Sequence, residues 1–269
     1  MEYAIVDIET TGGHAASNGI TEISIQVHNG KQVTQVYETL INPGYKIPYY
    51  IKGLTGITDE MVADAPTFAE VAADIWGILA GRVFVAHSVN FDYSFIKTHL
   101  AANGYELNTK KLCTIRLSRK IFPGASSYGL GKICGFLGIE IDDRHRAGGD
   151  ARATVKLFEM LLERDTEDLI QKSLKKNSKE QSLPPNVPKE QFETLPSAPG
   201  IYYFKDSKGK VVYVGKAKDI KKRVSSHFSN NSAAKQKQEF MRTIHAIHFE
   251  VCGSELMALL LESHEIKRL

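Results

Sequence analysis

The chain has 269 residues, of which 42% are hydrophobic and 24% charged, so it is long enough to bury a core in one or two domains without disulfide or metal staples. No run of about 18 apolar residues occurs, so no membrane-spanning helix is expected; Met1-Glu2-Tyr3-Ala4-Ile5-Val6-Asp7 enters a strand pattern at once, so no secretory leader is expected. The net charge of +3 is uneven, with 16 Lys and Arg against 19 Asp and Glu in residues 1–165, and 18 against 12 in residues 166–269.

A basic second half favours a polyanionic partner. Cys113, Cys134 and Cys252 make neither a CxxC pair nor a disulfide framework, as expected in a reducing cytosol.

In chain order, residues 1–165 alternate between strand and helix patterns. Tyr3–Glu9, Glu22–His28 and Val33–Leu40 read as three successive strands, Ala69–Leu79 as an amphipathic helix and Arg82–His87 as a short apolar strand. Asp92–Ala102 and Asp150–Glu163 read as helices. This order predicts a mixed sheet flanked by helices, an α/β domain. Residues 166–191 read as a partly helical segment, helical to about Lys176, and then a Pro- and Lys-rich linker containing Pro184, Pro185 and Pro188. In residues 192–269, Gly200–Lys205 and Lys210–Val214 form a hairpin about Asp206-Ser-Lys-Gly209. Asp219 caps a helix to about Phe228. A second helix covers Ala233–Thr243, a strand Ile244–Cys252, and Ser254 caps the last helix, giving a small α+β domain.

Asp7 and Glu9 are two apart on a strand and so share one face, opposite Ala4, Val6 and Ile8. Two acids pointing the same way repel, and a hard cation such as Mg²⁺ relieves that. The run Val83-Phe-Val-Ala-His-Ser-Val-Asn-Phe-Asp92 feeds a buried strand through a polar turn into a helix, with Asn90 as the expected cap and Asp92 in the first turn. In His145-Arg-Ala-Gly-Gly-Asp150, Asp150 opens a strong helix behind a glycine-containing loop. Each piece alone is unremarkable: a solvated edge pair, a helix-dipole acid, a capped helix with a surface histidine.

Together and in this order, Val6-Asp-Ile-Glu-Thr-Thr-Gly12, Val85-Ala-His-Ser-Val-Asn-Phe-Asp92 and His145–Asp150 resemble the DEDDh exonucleases, above all the proofreading epsilon subunits of bacterial DNA polymerase III. Gly53-Leu-Thr-Gly-Ile-Thr58 and Ser127-Tyr-Gly-Leu-Gly-Lys132 extend the likeness over residues 1–163. Ser88 and Cys113-Thr114 depart from the common pattern at positions that are not metal ligands in it. The resemblance implies a ribonuclease H-like fold and two Mg²⁺ or Mn²⁺ ions held by Asp7, Glu9, Asp92 and Asp150. It also implies that His145 is the general base and that 5′-nucleotides leave from a 3′ end. Thr10 and Thr11 are candidate contacts to the terminal nucleotide; His14 reads as a loop residue.

In the smaller domain Tyr202 and Tyr213 lie on adjacent strands of one hairpin, Lys216 follows the second strand, and Arg223 lies on the next helix. Glu262 ends a Leu-rich run on the last helix. Tyrosines are ordinary in strands, but phenols, cations and one acid together suit phosphodiester cleavage. Gly200-Ile-Tyr202 and Tyr213-Val-Gly215, with Gly215-Lys-Ala-Lys, Lys222-Arg-Val-Ser-Ser and Leu259-Leu-Leu-Glu-Ser-His-Glu-Ile-Lys, resemble the GIY-YIG nucleases, particularly the N-terminal domain of UvrC and its relative Cho. By that resemblance Glu262 binds a single divalent ion, Tyr202 or Tyr213 moves a proton, and Lys216 and Arg223 stabilise the phosphate. His227 stands where UvrC proteins usually have Tyr, which leaves its role open between phosphate donor and proton shuttle. A phenol base needs nearby positive charge, which Lys216 and Arg223 can supply. Relatives continue past the position of Leu269, so a C-terminally truncated domain is expected.

The two resemblances imply a cytoplasmic bacterial nuclease that trims 3′ ends and incises one strand of damaged or nicked duplex DNA, with excision-repair or replication proteins as further partners. The alternative is a proofreading or RNA-trimming exonuclease whose second domain only binds nucleic acid.

Overall fold

Alternation along the first strand sets the layout of the amino-terminal half. The computed structural model describes residues 1–175, 183–184, 186–229, 240–241 and 243–268. β1 (Tyr3–Thr10), β2 (Ile20–His28) and β3 (Val33–Leu40) form an antiparallel meander, and β4 (Val83–Ala86) and β5 (Lys111–Cys113) run parallel to β1 on its other side. The sheet order is β3-β2-β1-β4-β5. Ala4, Val6 and Ile8 on one face of β1 enter a core shared with α3 (Phe68–Leu79) and α4 (Val89–Ala102). Tyr3 and Ile5 on the other face enter a core shared with α6 (Leu130–Leu137) and α7 (Ala147–Arg164). Asp7 and Glu9 continue that second face, so they emerge on the α7 side at the strand's end.

Local chemistry explains the helices. α3 starts on a reciprocal capping box between Thr67 and Glu70 and buries Phe68, Val71, Ala72, Ile75, Ile78 and Leu79 at helical spacing. α1 (Tyr49–Thr55), α2 (Asp59–Val62) and α5 (Thr114–Ile121) are short and were not read from the sequence. The strand expected from Glu22 starts at Ile20. The helices expected from Asp92 and Asp150 start three residues earlier, at Val89 and Ala147. Asn90 is not the cap of α4: Ser88 holds that position at φ +82°, and Asn90 Oδ1 instead accepts from Lys111 Nζ at 3.4 Å.

The helical part expected to about Lys176 is a separate short helix that ends at Ser173, and Lys176 lies outside the described residues. α7 ends at Arg164, and the Asp165 carboxylate accepts the N–H groups of Leu169 (2.7 Å) and Ile170 (2.9 Å) to start α8 (Leu169–Ser173). Within the stretch read as linker, Leu183 and Val187 are buried in the core of the second unit, and α9 (Lys189–Glu193) follows them. The chain divides by its contacts into Met1–Ser178 and Lys179–Leu269.

The second unit is a three-stranded antiparallel sheet of β6 (Gly200–Lys205), β7 (Val211–Ala217) and β8 (Ala246–Val251) in the order β7-β6-β8. Asp206 Oδ1 accepts the N–H of Lys208 and of Lys210 and so closes the hairpin turn. α10 (Ile220–Ser229) packs Val224 and Phe228 against Tyr202 and Phe204. α11 (Glu255–Arg268) brings Glu265 to Tyr203, which points to the opposite face. Asp219 caps α10 through Lys222 N–H at 2.8 Å, and Ser254 caps α11 through Met257 N–H at 3.3 Å. The helix expected over Ala233–Thr243 lies, apart from Phe240, Met241 and Thr243, outside the described residues.

Candidate active sites

The antiparallel register pairs Asp7 with Ser24 and Glu9 with Glu22, and shifts just after Glu9. Asp150, in the first turn of α7, comes over the same strand end. One carboxylate oxygen from each of Asp7, Glu9 and Asp150 lies within 4.8 Å of the others. Asp92 sits in the first turn of α4, 4% exposed, outside that triplet but close enough to act on Asp7.

This crowding has an electrostatic cost. Burial, and then the charges of Asp92, Asp150, Glu9 and Glu22, hold Asp7 well above the usual carboxylate range. Burial and neighbouring acids push Glu9 up to about 8. Asp150 is raised by burial, against the pull of the His145 charge and main-chain N–H. Its Oδ1 is buried and accepts no hydrogen bond from the protein. An orphaned oxygen among repelling carboxylates fits a hard divalent cation, which takes oxygen ligands and offsets their charge.

His145 precedes α7 at φ +64° and is half-buried. The structure therefore brings Asp7, Glu9, Asp150 and His145 to one place, with Asp92 beside them. Thr10 Oγ1 is committed to the Gly12 carbonyl at 2.8 Å, and Thr11 Oγ1 lies 2.9 Å from the Tyr45 hydroxyl and accepts Gly19 N–H at 3.0 Å. Both hydroxyls shape the turn after β1. His14 is buried in that turn, where its carbonyl accepts from Ser17 and Asn18.

Glu22, Arg146 and His87 are further residues of these elements that the sequence does not single out. Glu22 accepts from Arg146 and from the Ala147 N–H at 2.8 Å. His87, in the turn leading to α4, bridges Thr114 Oγ1 (2.8 Å) and the Tyr128 carbonyl (2.9 Å). Burial pushes its pKa down to about 4, so the ring is neutral near pH 7. Nε2 faces a carbonyl and must carry the proton, and Nδ1 accepts from Thr114. A histidine directly after a buried strand was the available signal; Glu22 and Arg146 are 124 residues apart and gave none.

In the second unit Tyr202 pairs with Gly215, and Phe204 with Tyr213, so both tyrosines share one face. Their rings lie 5.9 Å apart. A side chain at Gly215 would start 2.9 Å from the Tyr202 hydroxyl, and one at Gly200 would start 2.2 Å from the Glu250 carbonyl oxygen. Both glycines of the motif are thus sterically required. Tyr202 is fully buried, and its hydroxyl lies 2.6 Å from His227 Nε2. Burial, and then the neighbouring Tyr213, raise its pKa beyond the normal phenol range despite the opposing Arg223.

Tyr213, Lys216, Arg223 and Glu262 line a groove of about 510 Å³ together with Lys218 and Lys222. Glu262 Oε1 accepts the Lys216 N–H at 2.8 Å, and Lys216 Nζ lies 4.0 Å from Oε2. Asp219 and Glu255 also line the groove, paired with Lys222 (3.6 Å) and Lys218 (3.0 Å), so Glu262 is the carboxylate fixed by a main-chain N–H, a donor that fits one hard ion whose other ligands come from water or phosphate.

Residues 4–158 match the family described as RNase_T, Exonuclease. The chain belongs to this exonuclease family. Residues 198–269 match the UvrC-like GIY-YIG domain. A Mycobacterium tuberculosis protein named as a bifunctional exonuclease/endonuclease is 34% identical over 273 residues, covering 95% of this chain. The chain spans only 41% of that relative's length. DNA polymerase III subunit epsilon of Aquifex aeolicus is 34% identical over 162 residues, 60% of this chain and 80% of that one. Escherichia coli exonuclease I, solved with a dT13 oligonucleotide, superposes with a TM-score of 0.59 at 17% identity, covering 76% of this chain and 48% of its own. That likeness shows the fold, a ribonuclease H-like exonuclease fold joined here to a small GIY-YIG domain. Exonuclease and GIY-YIG domains together make a hydrolytic nuclease, and the exonuclease family is metal-dependent.

Proposed function

We propose that the chain is a bifunctional DNA nuclease of the bacterial cytosol that trims 3′ ends at its first site and incises one strand near damage at its second. The observation that carries this is the presence of two separate side-chain clusters in one chain: the Asp7–Glu9–Asp150 cluster with Asp92 and His145, and the Tyr213–Arg223–Glu262 groove backed by Tyr202 and His227. The relative named as bifunctional aligns through both.

At the first site Asp7, Glu9, Asp92 and Asp150 are the residues to hold two Mg²⁺ or Mn²⁺ ions. Bound divalent ions supply positive charge to a scissile phosphate and make a water more acidic. His145, half-buried beside Asp150, accepts the proton of the attacking water. At the second site Glu262 holds one ion, and Lys216 and Arg223 face the phosphate from the groove wall. Tyr213 lines that groove and is the better proton acceptor. Tyr202 is sealed in and held neutral by burial, so it positions Tyr213 and His227. An incision leaves a 3′ end, which is the substrate of the first site; this, with the UvrC likeness, favours a repair role.

Two substrates test the halves separately. A 5′-labelled single strand should give a ladder of shortened labelled products that Asp7→Ala abolishes; prompt release of the label as a mononucleotide would contradict 3′ polarity. A covalently closed circular duplex with a bulky adduct has no ends to trim. It should be nicked by Asp7→Ala protein in Mg²⁺ or Mn²⁺ and not by Glu262→Ala protein. A circle that stays closed would reduce the second domain to a binding module.

A further inference from the structure

The first turn of α7 lacks a cap of its own. Its N-cap residue is Arg146, whose side chain caps nothing. The missing acceptor comes from β2. Glu22 Oε2 takes the Ala147 N–H at 2.8 Å and Arg146 Nε at 3.0 Å, and Glu22 Oε1 takes Arg146 Nη2. A carboxylate gripped at once by a helix N-terminus and a guanidinium fork is fixed in both place and direction.

What this grip holds is strained. Asp143 and His145 have φ of +53° and +64°, a conformation that non-glycine residues keep only where the surroundings over-determine it. The loop turns back so tightly that a side chain at Gly149 would start 2.1 Å from the Asp142 carbonyl oxygen. The other ion pair on this loop, Arg152 to Asp143 at 3.6 Å, is solvent-exposed and weak. Glu22, by contrast, is 12% exposed and stands directly opposite Glu9 in the sheet register. Both of its oxygens accept hydrogen bonds from the start of α7, and it lies outside the Asp7–Glu9–Asp150 triplet.

We propose that Glu22 and Arg146 form a latch that positions His145 and Asp150 against Asp7 and Glu9. This rests on the exonuclease reading of the first site. Neither residue reaches the reacting atoms in this scheme, so both are positioning residues.

The test uses the full chain as wild type, Arg146→Ala, Glu22→Gln, the double variant and Arg146→Lys. Trimming of a single-stranded oligonucleotide is measured with Mn²⁺ binding by calorimetry and amide hydrogen exchange. Arg146→Ala should lower kcat about 10- to 100-fold, the scale of a misplaced catalytic group, with KM within about 3-fold and Mn²⁺ binding weakened, since Asp150 is one of the ligands it positions. Exchange should rise over residues 143–150 while β1 and β2 stay protected. The double variant should be no slower than the slower single, because the two share one interaction. Arg146→Lys should recover part of the loss, since an ammonium pairs with Glu22 without the fork. A kcat within about 2-fold of wild type, additive losses, or exchange spreading through β1 and β2 would each overturn the latch. A wild type that binds Mn²⁺ but trims nothing would sink the exonuclease reading alone, and the exchange measurement would still decide the latch.

Discussion

Glu9 and His87 give the first unit opposite responses to pH. Glu9 is raised from 4.5 to about 8 by burial and by the acids around it. Between those values the folded state keeps a proton that the unfolded state has lost, so stability falls as pH rises and levels off above about 8. Asp7 acts in the same direction. His87 is lowered from 6.5 to about 4, so the unfolded state binds the extra proton and stability falls as pH drops through that window. The two slopes oppose each other up to about pH 6.5, and above it only the carboxylates act, so metal-free protein should lose melting temperature from there toward pH 8. Mn²⁺ should raise the melting temperature more at pH 8 than at pH 6. Scanning calorimetry with and without chelator checks this; a metal-free melting temperature that climbs steadily from pH 6 to 8 would show that the carboxylates are not under mutual repulsion.

At the scale of elements, the β6–β7 hairpin carries the sharpest expectation. Its register places Tyr202 against Gly215, leaving no room for a methyl group: a Cβ there would lie 2.8 Å from Tyr213 and 2.9 Å from the Tyr202 hydroxyl. Gly215→Ala should cost about 1–3 kcal/mol of second-unit stability and at least about tenfold in incision, since it displaces a proton-transfer side chain, with trimming unchanged. Equal incision by the variant would mean that the tyrosine pair is not part of the machinery. This hairpin, like β1, was legible because period-two alternation and an Asp-to-Gly turn are local signals. The first turn of α7 was not, since its cap is a carboxylate on β2. Asn90 does not cap α4 because Ser88, at φ +82°, takes that position. Leu183 and Val187 were hidden in a Pro- and Lys-rich stretch, where isolated apolar residues have no period to reveal that they are buried. The carboxylates of the first site were found through motif order, whereas their approach within 4.8 Å depends on long-range sheet and helix packing.

Across the whole chain, charge and chemistry divide together. The acidic half concentrates carboxylates at one strand end, a site that needs cations before it can meet a polyanion. The basic half lines a groove with Lys216, Lys218, Lys222 and Arg223 against Asp219, Glu255 and Glu262, a small excess of positive charge that favours phosphate. Among the described residues no helix is long and apolar enough to cross a membrane. The central claim, two independent hydrolytic sites in one chain, is tested most directly by giving wild type, Asp7→Ala, Glu262→Ala and the double variant one 5′-labelled adduct duplex in Mn²⁺ and resolving the products by length. The expected result is a discrete internal product from Asp7→Ala, a terminal ladder without that product from Glu262→Ala, both activities from wild type and neither from the double variant. A single substitution that removes both activities, or an internal product that survives in the double variant, would contradict it.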